Sequence, residues 1–185
     1  NASQLSFAPD GEAIRFGLGA VKGVGEGAVN SILEQRAADG PFASLTDFCC
    51  RVNTKLNNRK VLEALIRSGC FDSLGKSRAA LTAGVDSALD VASAERKAAE
   101  SGQGGLFAEE AAHDRKDRFP NLPEWSPDER IKYEKETLGF YITGHPLARF
   151  EEEIELFGDV KAENAGEKVD QNVKIVALLA SLKKT

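Results

Sequence analysis

Glycine is concentrated at one place near the start of this 185-residue chain, where residues 17–27 contain five glycines. Glycine is favoured where the backbone needs a positive φ angle or where another group must approach the main chain closely. A glycine-rich turn that leads into a helix offers unpaired backbone N–H groups, and such groups bind phosphate. The window therefore predicts a turn with a phosphate-binding role.

Three kinds of phosphate-binding turn can be compared with the sequence LGAVKGVGEG of residues 18–27. A Walker A loop needs a lysine after its glycines and then a hydroxyl residue, whereas Lys22 precedes Gly23 and Gly25. A dinucleotide fingerprint needs a βαβ unit, whereas only helical patterns follow this window. The third kind, the helix-hairpin-helix motif, fits best.

The helix-hairpin-helix pattern is hydrophobic-x-Gly-hydrophobic-Gly, and residues 21–25 match it as Val-Lys-Gly-Val-Gly. In this motif the main chain of the turn contacts one DNA phosphate, which a side chain in place of glycine would hold away. Lys22 adds a positive charge. Such a contact positions a protein on the DNA backbone without reading the base sequence. The competing interpretation is a glycine-rich connection between two packed helices.

A second turn of the same kind is predicted around Gly69, in the sequence RSGCF of residues 67–71. It lacks the second glycine, so we expect either a weaker phosphate contact or a role only in packing against the first hairpin. Lys76 and Arg78, at the start of the next helix, would compensate in part. Two hairpins in tandem favour phosphate binding more strongly than one alone.

Helices are expected to position both turns. Ser44 with Asp47 is typical of a capping box, and Asn57 or Asn58 is expected to cap the helix after it. The predicted helices of this part cover residues 26–36, 44–51, 58–68 and 77–99. A strand-like or irregular entry precedes them.

The texture of the sequence changes after residue 99. Residues 100–127 are rich in glycine, charge and proline, which is typical of a linker with poor intrinsic order. Helices are predicted again over residues 127–138 and 149–157. The apolar stretch at residues 172–184 predicts a β-strand without partner strands in this chain.

The charge distribution is uneven along the chain. The net charge is −5, yet residues 1–80 contain ten basic and eight acidic side chains. Residues 51–67 contain five bases and one acid, so a local basic face can bind phosphates although the chain is acidic. The alternative is a solvated helix face.

The composition excludes several classes of protein. No run of eighteen apolar residues or signal-peptide pattern is present, so no membrane partner is expected. The three cysteines lack metal-ligand spacing, which predicts reduced thiols in the cytoplasm and no metal site. The chain starts at Asn1 and contains no methionine, so we expect a piece of a longer protein.

Four stretches resemble the bacterial C-family replicative polymerases, the DNA polymerase III alpha subunits. They are IRFGLGAVKGVGEGAV, GPFASLTDFCCRV, NRKVLEALIRSGCFDSLGKSRAAL and EKETLGFYITGHPL. The resemblance covers roughly residues 14–184 and implies the C-terminal part of such a subunit, with a tandem helix-hairpin-helix domain that grips the duplex leaving the active site. It also implies that GHPL leads into an OB-fold, of which residues 172–184 would be the first strand.

The resemblance implies no catalytic residue and no cofactor in this chain, because the catalytic aspartates of the family belong to a palm domain that the quoted motifs do not include. The parent would be a DNA-directed DNA polymerase that uses magnesium and assembles with other polymerase III holoenzyme subunits. His145 in the GHPL motif has no paired acid or nucleophile nearby in sequence and is interpreted as structural.

The sequence QGGLF, at residues 103–107, resembles the bacterial sliding-clamp-binding motif. Leu106 and Phe107 would enter an apolar pocket as paired anchors, and Gln103 would form a hydrogen bond at its rim. The family carries an internal clamp-binding peptide between its helix-hairpin-helix domain and its OB-fold. The competing interpretation is that Leu106 and Phe107 pack on the protein's own helices.

Two other functions remain open from the residues alone. A helix-hairpin-helix DNA glycosylase places an aspartate after its hairpin, and Asp47 after Gly40 and Pro41 resembles that arrangement faintly. Such an enzyme needs a pocket for an extruded base, with more helices than this chain offers. A protein-interaction scaffold without DNA contact is the second alternative.

The sequence thus predicts a mainly α-helical chain that supports processive DNA synthesis. Its expected organisation is the end of a fingers region at 1–13, tandem hairpins at 14–99, a linker at 100–127, a helical connector at 128–169 and the start of an OB-fold at 170–185. The expected DNA contacts are Lys22, Gly23, Val24, Gly25, Gly27, Arg59, Lys60, Gly69, Lys76 and Arg78.

Overall fold

The structure, a computed structural model, describes residues 1–101, 115–179 and 183 of the chain. It is mainly helical and divides into two compact units, Asn1–Phe140 and Tyr141–Thr185. Among the helices in the described ranges, none combines the length and the apolar character that a membrane crossing requires.

The first unit begins with a small antiparallel β-hairpin and continues with helices. Strands β1 (Ala8–Asp10) and β2 (Ala13–Arg15) pair with Pro9 opposite Ile14. The α-helices are α1 (Glu26–Asp39), α2 (Leu45–Arg51), α3 (Arg59–Arg67), α4 (Arg78–Glu100) and α5 (Pro127–Leu138). Short 3-10 turns at Leu18–Ala20 and Asp72–Leu74 precede α1 and α4.

Polar caps explain where most of these helices begin. Helices α2, α3, α4 and α5 each follow a residue whose side-chain oxygen accepts an N–H of the first turn. In chain order these residues are Ser44, Asn58, Ser77 and Ser126. The cap predicted at Ser44 is confirmed, with the Asp47 N–H 2.9 Å from Ser44 Oγ. Asn58, not Asn57, caps α3. Asn57 is buried instead, and its amide donates to the Ala28 carbonyl at 3.4 Å.

One apolar core joins helices α1 to α4. On α3, Leu62, Leu65 and Ile66 are at most 1% exposed. They pack with Leu45 of α2 and Leu81 of α4 in the same cluster. Burying side chains of this size contributes about 1.5–3 kcal/mol each to stability. The core therefore fixes the two turns that precede α1 and α4.

Residues 115–126, called the strap below, form hydrogen bonds with the starts of two helices of the first unit. The Asp117 carboxylate accepts the N–H of Thr46 at 2.9 Å at the start of α2. Glu124 accepts the N–H of Arg78 at 3.0 Å at the start of α4. Between them, the ring of Phe119 lies so close to Gly84 that a Cβ there would overlap it. The expectation of poor order is therefore corrected for this part of the predicted linker.

Helix α5 also belongs to the first unit, which extends beyond the boundary predicted at residue 99. Its limits agree with the predicted helix, and Ser126 and Glu129 form a capping box at its start. The rings of Phe16, after β2, and Phe140, after α5, lie 5.4 Å apart between centroids. This contact joins the segment that precedes the first turn to the end of the unit.

The second unit contains the 3-10 turn Ala148–Phe150, helix α6 (Glu151–Phe157) and the 3-10 segment Ala162–Glu167. The strand predicted at 172–184 is wrong for residues 172–179, which form no strand. A strand needs a hydrogen-bonded neighbour along its length, whereas this stretch is held at Lys174, whose N–H and carbonyl both bind Asp159. That the stretch opens an OB-fold stays a prediction.

The contact between Glu124 and α4 predicts a dependence of stability on pH. Burial alone would raise the pKa of Glu124, but the N–H groups of Arg78, Trp125 and Ala79 and the nearby Arg130 hold it below its ordinary value of 4.5. Its contribution to the free energy of unfolding is therefore fully present above pH 4.5 and is lost as the pH falls through the lowered pKa. Urea unfolding should give a difference in free energy of unfolding between the parent and Glu124→Gln. This difference should be constant near neutral pH and become smaller in acid. A gap independent of pH would contradict this assignment.

Candidate nucleic-acid interface

Two buried valines anchor the first hairpin and leave its glycines at the surface. Val21 and Val24 are 2% and 6% exposed, and the N–H of Val24 donates to the Val21 carbonyl at 3.1 Å, which closes the turn. Gly23 has φ +86°, a conformation that other residues rarely adopt. Val24, predicted as a DNA contact, therefore anchors the turn and does not offer its own N–H to a ligand.

Gly25 ends the turn and starts α1. Its backbone is extended, with φ −78° and ψ 157°, and a Cβ there would have no heavy atom within 4 Å. A Cβ at Gly27 would lie 3.8 Å from the Leu56 side chain, an ordinary contact. Neither glycine is required by the fold of the chain itself, so each leaves room above the backbone for an outside group.

The N–H groups at the start of α1 are open. Within the described ranges, no acceptor binds the N–H groups of Gly23, Gly25, Glu26 or Gly27, and no side chain caps the helix. Helices α2, α3, α4 and α5 each begin at a side-chain cap, and the strap adds a carboxylate to α2 and α4. The positive end of the α1 dipole thus faces solvent at this turn.

Helix α5 holds the first hairpin from one side. The N–H of Lys22 donates to the Thr137 carbonyl at 2.8 Å, in the last turn of α5. Gly139 ends α5 with φ +88°, and the Lys22 Nζ lies 3.7 Å from the position of a Cβ on that glycine. The exposed Lys22 side chain therefore lies against the end of α5, in the same turn as Gly23 and Gly25.

The second hairpin has a similar turn but a different content. Gly69 has φ +81°, a conformation that other residues rarely adopt. The space beside it is filled by the Arg78 guanidinium, which a Cβ at Gly69 would overlap. The first N–H groups of α4 are bound by Glu124, at 3.0 Å from Arg78 and 3.4 Å from Ala79. Lys76 remains exposed on the turn.

Arg78 is a correction to the predicted DNA contacts. Its side chain is 3% exposed, with ion pairs of 2.7 Å to Asp72 and 3.1 Å to Glu134. It also donates to the Arg67 carbonyl at 3.2 Å. A guanidinium that is buried and bound in this way is not available to a phosphate, so Arg78 supports the fold.

The basic cluster at residues 51–67 contributes less free charge than its composition predicts. Arg59 is exposed, but its guanidinium lies 2.9 Å from Glu63 and 2.6 Å from Asp86. Arg51 is buried against Asp47 at 3.1 Å. Lys55 and Lys60 are exposed and form no ion pair within the described ranges. The solvated-face interpretation therefore holds for part of the cluster.

Asp47 does not form a catalytic site. It is 9% exposed, and its carboxylate accepts the N–H of Ala43 at 3.1 Å and pairs with Arg51. This aspartate stabilises the start of α2, so the structure gives no support to the glycosylase alternative.

The cysteines are free thiols in the structure, and Cys49 is buried. Burial, together with the nearby Cys50 thiol, raises the pKa of Cys49 to about 12, so this thiol is protonated at neutral pH. Residues 1–101, 115–179 and 183 contain no group of three or more His, Cys, Asp or Glu side chains that could hold a metal ion.

Sequence reasoning missed the carboxylates that fill the second hairpin, Glu124 and Glu134. Glu134 carried a signal, because it lies between Ile131 and Leu138 on the buried side of α5, where a charge needs a buried partner. The sequence around Glu124 contains no such signal. The predicted clamp contacts Gln103, Leu106 and Phe107 lie outside the described residues.

Comparison with protein families identifies the class to which this geometry belongs. The family described as the helix-hairpin-helix motif matches residues 1–81, from the β-hairpin to the start of α4. The matched region contains both turns, and helix α5 lies beyond it. This part of the chain thus contains a helix-hairpin-helix motif.

Curated relatives then identify the family. The chain is 39% identical to DNA polymerase III subunit alpha of Vibrio cholerae over 92% of its own length, and 39% identical to that of Neisseria meningitidis serogroup B over 99%. It is 42% identical to the Escherichia coli K12 protein over 80%. The chain belongs to the DNA polymerase III alpha subunit family. It spans 15%, 16% and 13% of the lengths of these relatives.

The buried ion pair of Arg78 with Glu134 predicts a large effect of one substitution. Arg78→Met should lower the free energy of unfolding by about 3–5 kcal/mol, because it removes the cation that lies 3.1 Å from the buried Glu134 carboxylate. Arg15→Met, which removes the exposed pair with Asp10, should cost less than about 1 kcal/mol. Urea unfolding at neutral pH measures both. Equal losses would show that the buried pair carries no special role.

Proposed function

We propose that this chain binds double-stranded DNA through its first hairpin, without preference for base sequence. The observation that carries the proposal is the row of open N–H groups at Gly25, Glu26 and Gly27, at the start of a 14-residue helix. Phosphate binds such a terminus through the N–H groups and the helix dipole. The exposed Lys22, three residues before Gly25 in the same turn, supplies a full positive charge.

The proposed contact is with the DNA backbone only. Main-chain N–H groups and a lysine bind phosphate oxygens, which are the same at every base pair. One hairpin with few neighbouring cations neutralises few phosphates, so the affinity of this chain alone should be weak and should fall as salt is added. The net charge of −5 also weakens the affinity, because it repels the phosphates of DNA.

Membership of the polymerase family supports a place for this contact. The relatives are named DNA polymerase III subunit alpha, and the chain spans about one seventh of their length. We propose that this segment holds duplex DNA for a DNA-directed DNA polymerase in the bacterial cytoplasm and does not itself catalyse synthesis. Magnesium would act at the catalytic domain of the parent, which would work with other polymerase III holoenzyme subunits.

The proposal extends to the sliding clamp through the sequence QGGLF at residues 103–107. What supports it is the pattern of Gln103, Leu106 and Phe107 and the resemblance to the internal clamp-binding peptide of the family. A short peptide that orders on binding loses conformational entropy, so a micromolar affinity is expected. Attachment to a clamp would keep the polymerase on its template and so support processive synthesis.

The DNA proposal is tested by placing a side chain where phosphate would sit. Gly25→Val needs no change of backbone conformation and meets no atom of the chain, so α1 should persist by circular dichroism. Duplex affinity should fall on the order of tenfold, because the valine covers the N–H groups. Fluorescence anisotropy with a labelled duplex of scrambled sequence measures the affinity.

Gly166→Val is the matched control, since a Cβ there also meets nothing within 4 Å. It should bind duplex as the parent does. Lys22→Ala should weaken binding and reduce the slope of log affinity against log salt by about 1. If Gly25→Val binds as tightly as Gly166→Val, the first hairpin is not the phosphate site.

The clamp proposal has its own test. Changing Leu106 and Phe107 together to alanine should abolish binding of the chain to purified bacterial clamp, because both apolar anchors are lost. Surface plasmon resonance on immobilised clamp measures it, and duplex affinity should stay unchanged as the control. Clamp binding equal to that of the parent would refute the proposed role of this peptide.

A further inference from the structure

The two hairpins differ in what occupies the start of the following helix. At α1 the N–H groups face solvent, whereas at α4 the Glu124 carboxylate binds the N–H groups of Arg78 and Ala79. We infer that the second hairpin is a docking site for the chain's own strap and helix α5, and that Glu124 takes the position which phosphate takes in a DNA-binding hairpin. The comparison with DNA rests on the function proposed above.

The contacts of Glu124 are those of a bound anion. One oxygen lies 3.0 Å from the Arg78 nitrogen, and the other accepts N–H groups from Ala79 at 3.4 Å and Trp125 at 2.8 Å. A carboxylate is favoured here because its charge faces the positive end of the α4 dipole. The adjacent Ser77 hydroxyl donates to the Leu122 carbonyl at 2.6 Å, so the strap is held on both sides of the helix start.

The interior of the second hairpin is filled by Arg78 of α4, which helix α5 binds through Glu134. The Arg78 guanidinium lies against Gly69, where a close approach to the backbone is possible, and binds Glu134 of α5 at 3.1 Å. On the outer side, the Arg67 guanidinium lies 5.0 Å from the centre of the Tyr133 ring, which packs on Trp125 at 4.5 Å. Strap and α5 thus cover the hairpin with an anion, a buried ion pair and an aromatic pair.

This occupancy makes the tandem pair asymmetric in function. A phosphate at the second hairpin would have to displace Glu124, whose charge also repels it. The main-chain grip on DNA therefore belongs to the first hairpin, and the second hairpin fixes α5. Because α5 in turn accepts the N–H of Lys22 through Thr137, docking at the second hairpin holds the first one in place.

Amide chemical shifts of the whole chain, labelled with ¹⁵N, test the inference directly. Addition of a short duplex of scrambled sequence should shift the resonances of Gly25 and Gly27 and leave those of Arg78 and Ala79 unchanged. Shifts at Arg78 and Ala79 as large as those at Gly25 would overturn the inference, because they would show that DNA reaches the start of α4.

A second measurement without DNA decides the docking even if duplex binding itself fails. On acidification, the Arg78 and Ala79 resonances should follow one titration, that of the Glu124 carboxyl group, and Glu124→Gln should remove it. Glu129→Gln is the matched control, since Glu129 binds the Ser126 N–H at 3.0 Å and makes no contact with α4. An Arg78 titration that persists in Glu124→Gln would come from another group and would overturn the role of Glu124.

Discussion

The guanidinium of Arg78 is the interaction on which the first unit depends. It joins the turn before α4, the end of α3 and the middle of α5 through Asp72, the Arg67 carbonyl and Glu134. A buried cation is unfavourable unless its partners are close and well oriented, and here they come from three separate elements. The position of α5, and with it the backing of the first hairpin at Lys22, follows from satisfying this one charge.

A related constraint is that helix N-termini must have their N–H groups satisfied. The chain solves this with serine and asparagine caps and with two acidic residues of the strap, Asp117 and Glu124. Among α1 to α5, the helices that the structure describes in the first unit, only α1 has a glycine at its start and leaves these groups to an outside partner. The same physical requirement therefore accounts for both the docked strap and the open site.

Much of this arrangement was predictable from the sequence because its signals are local. Helix spacing, the cap at Ser44 and the glycine turn at Gly23 each depend on a few adjacent residues, and the structure agrees with them. The long-range pairs were not predictable. Arg78 carries the same sequence signal whether it faces solvent or Glu134, and it was assigned to DNA although it is buried. The strand prediction is wrong for residues 172–179 for a similar reason, because a strand depends on partner strands that an apolar sequence alone does not reveal.

The contact between Phe16 and Phe140 has a consequence for where such a unit can be cut from a long polypeptide. The two rings lie 5.4 Å apart, and Phe140 follows the end of α5. The first unit therefore extends well past residue 81, where the match to the helix-hairpin-helix motif ends. A fragment trimmed to residues 1–81 would keep both turns, but it would take from Phe16 the ring of Phe140 and from Arg78 its buried partner Glu134. The smallest fragment that can keep this fold therefore ends after Phe140 and not at the end of the motif.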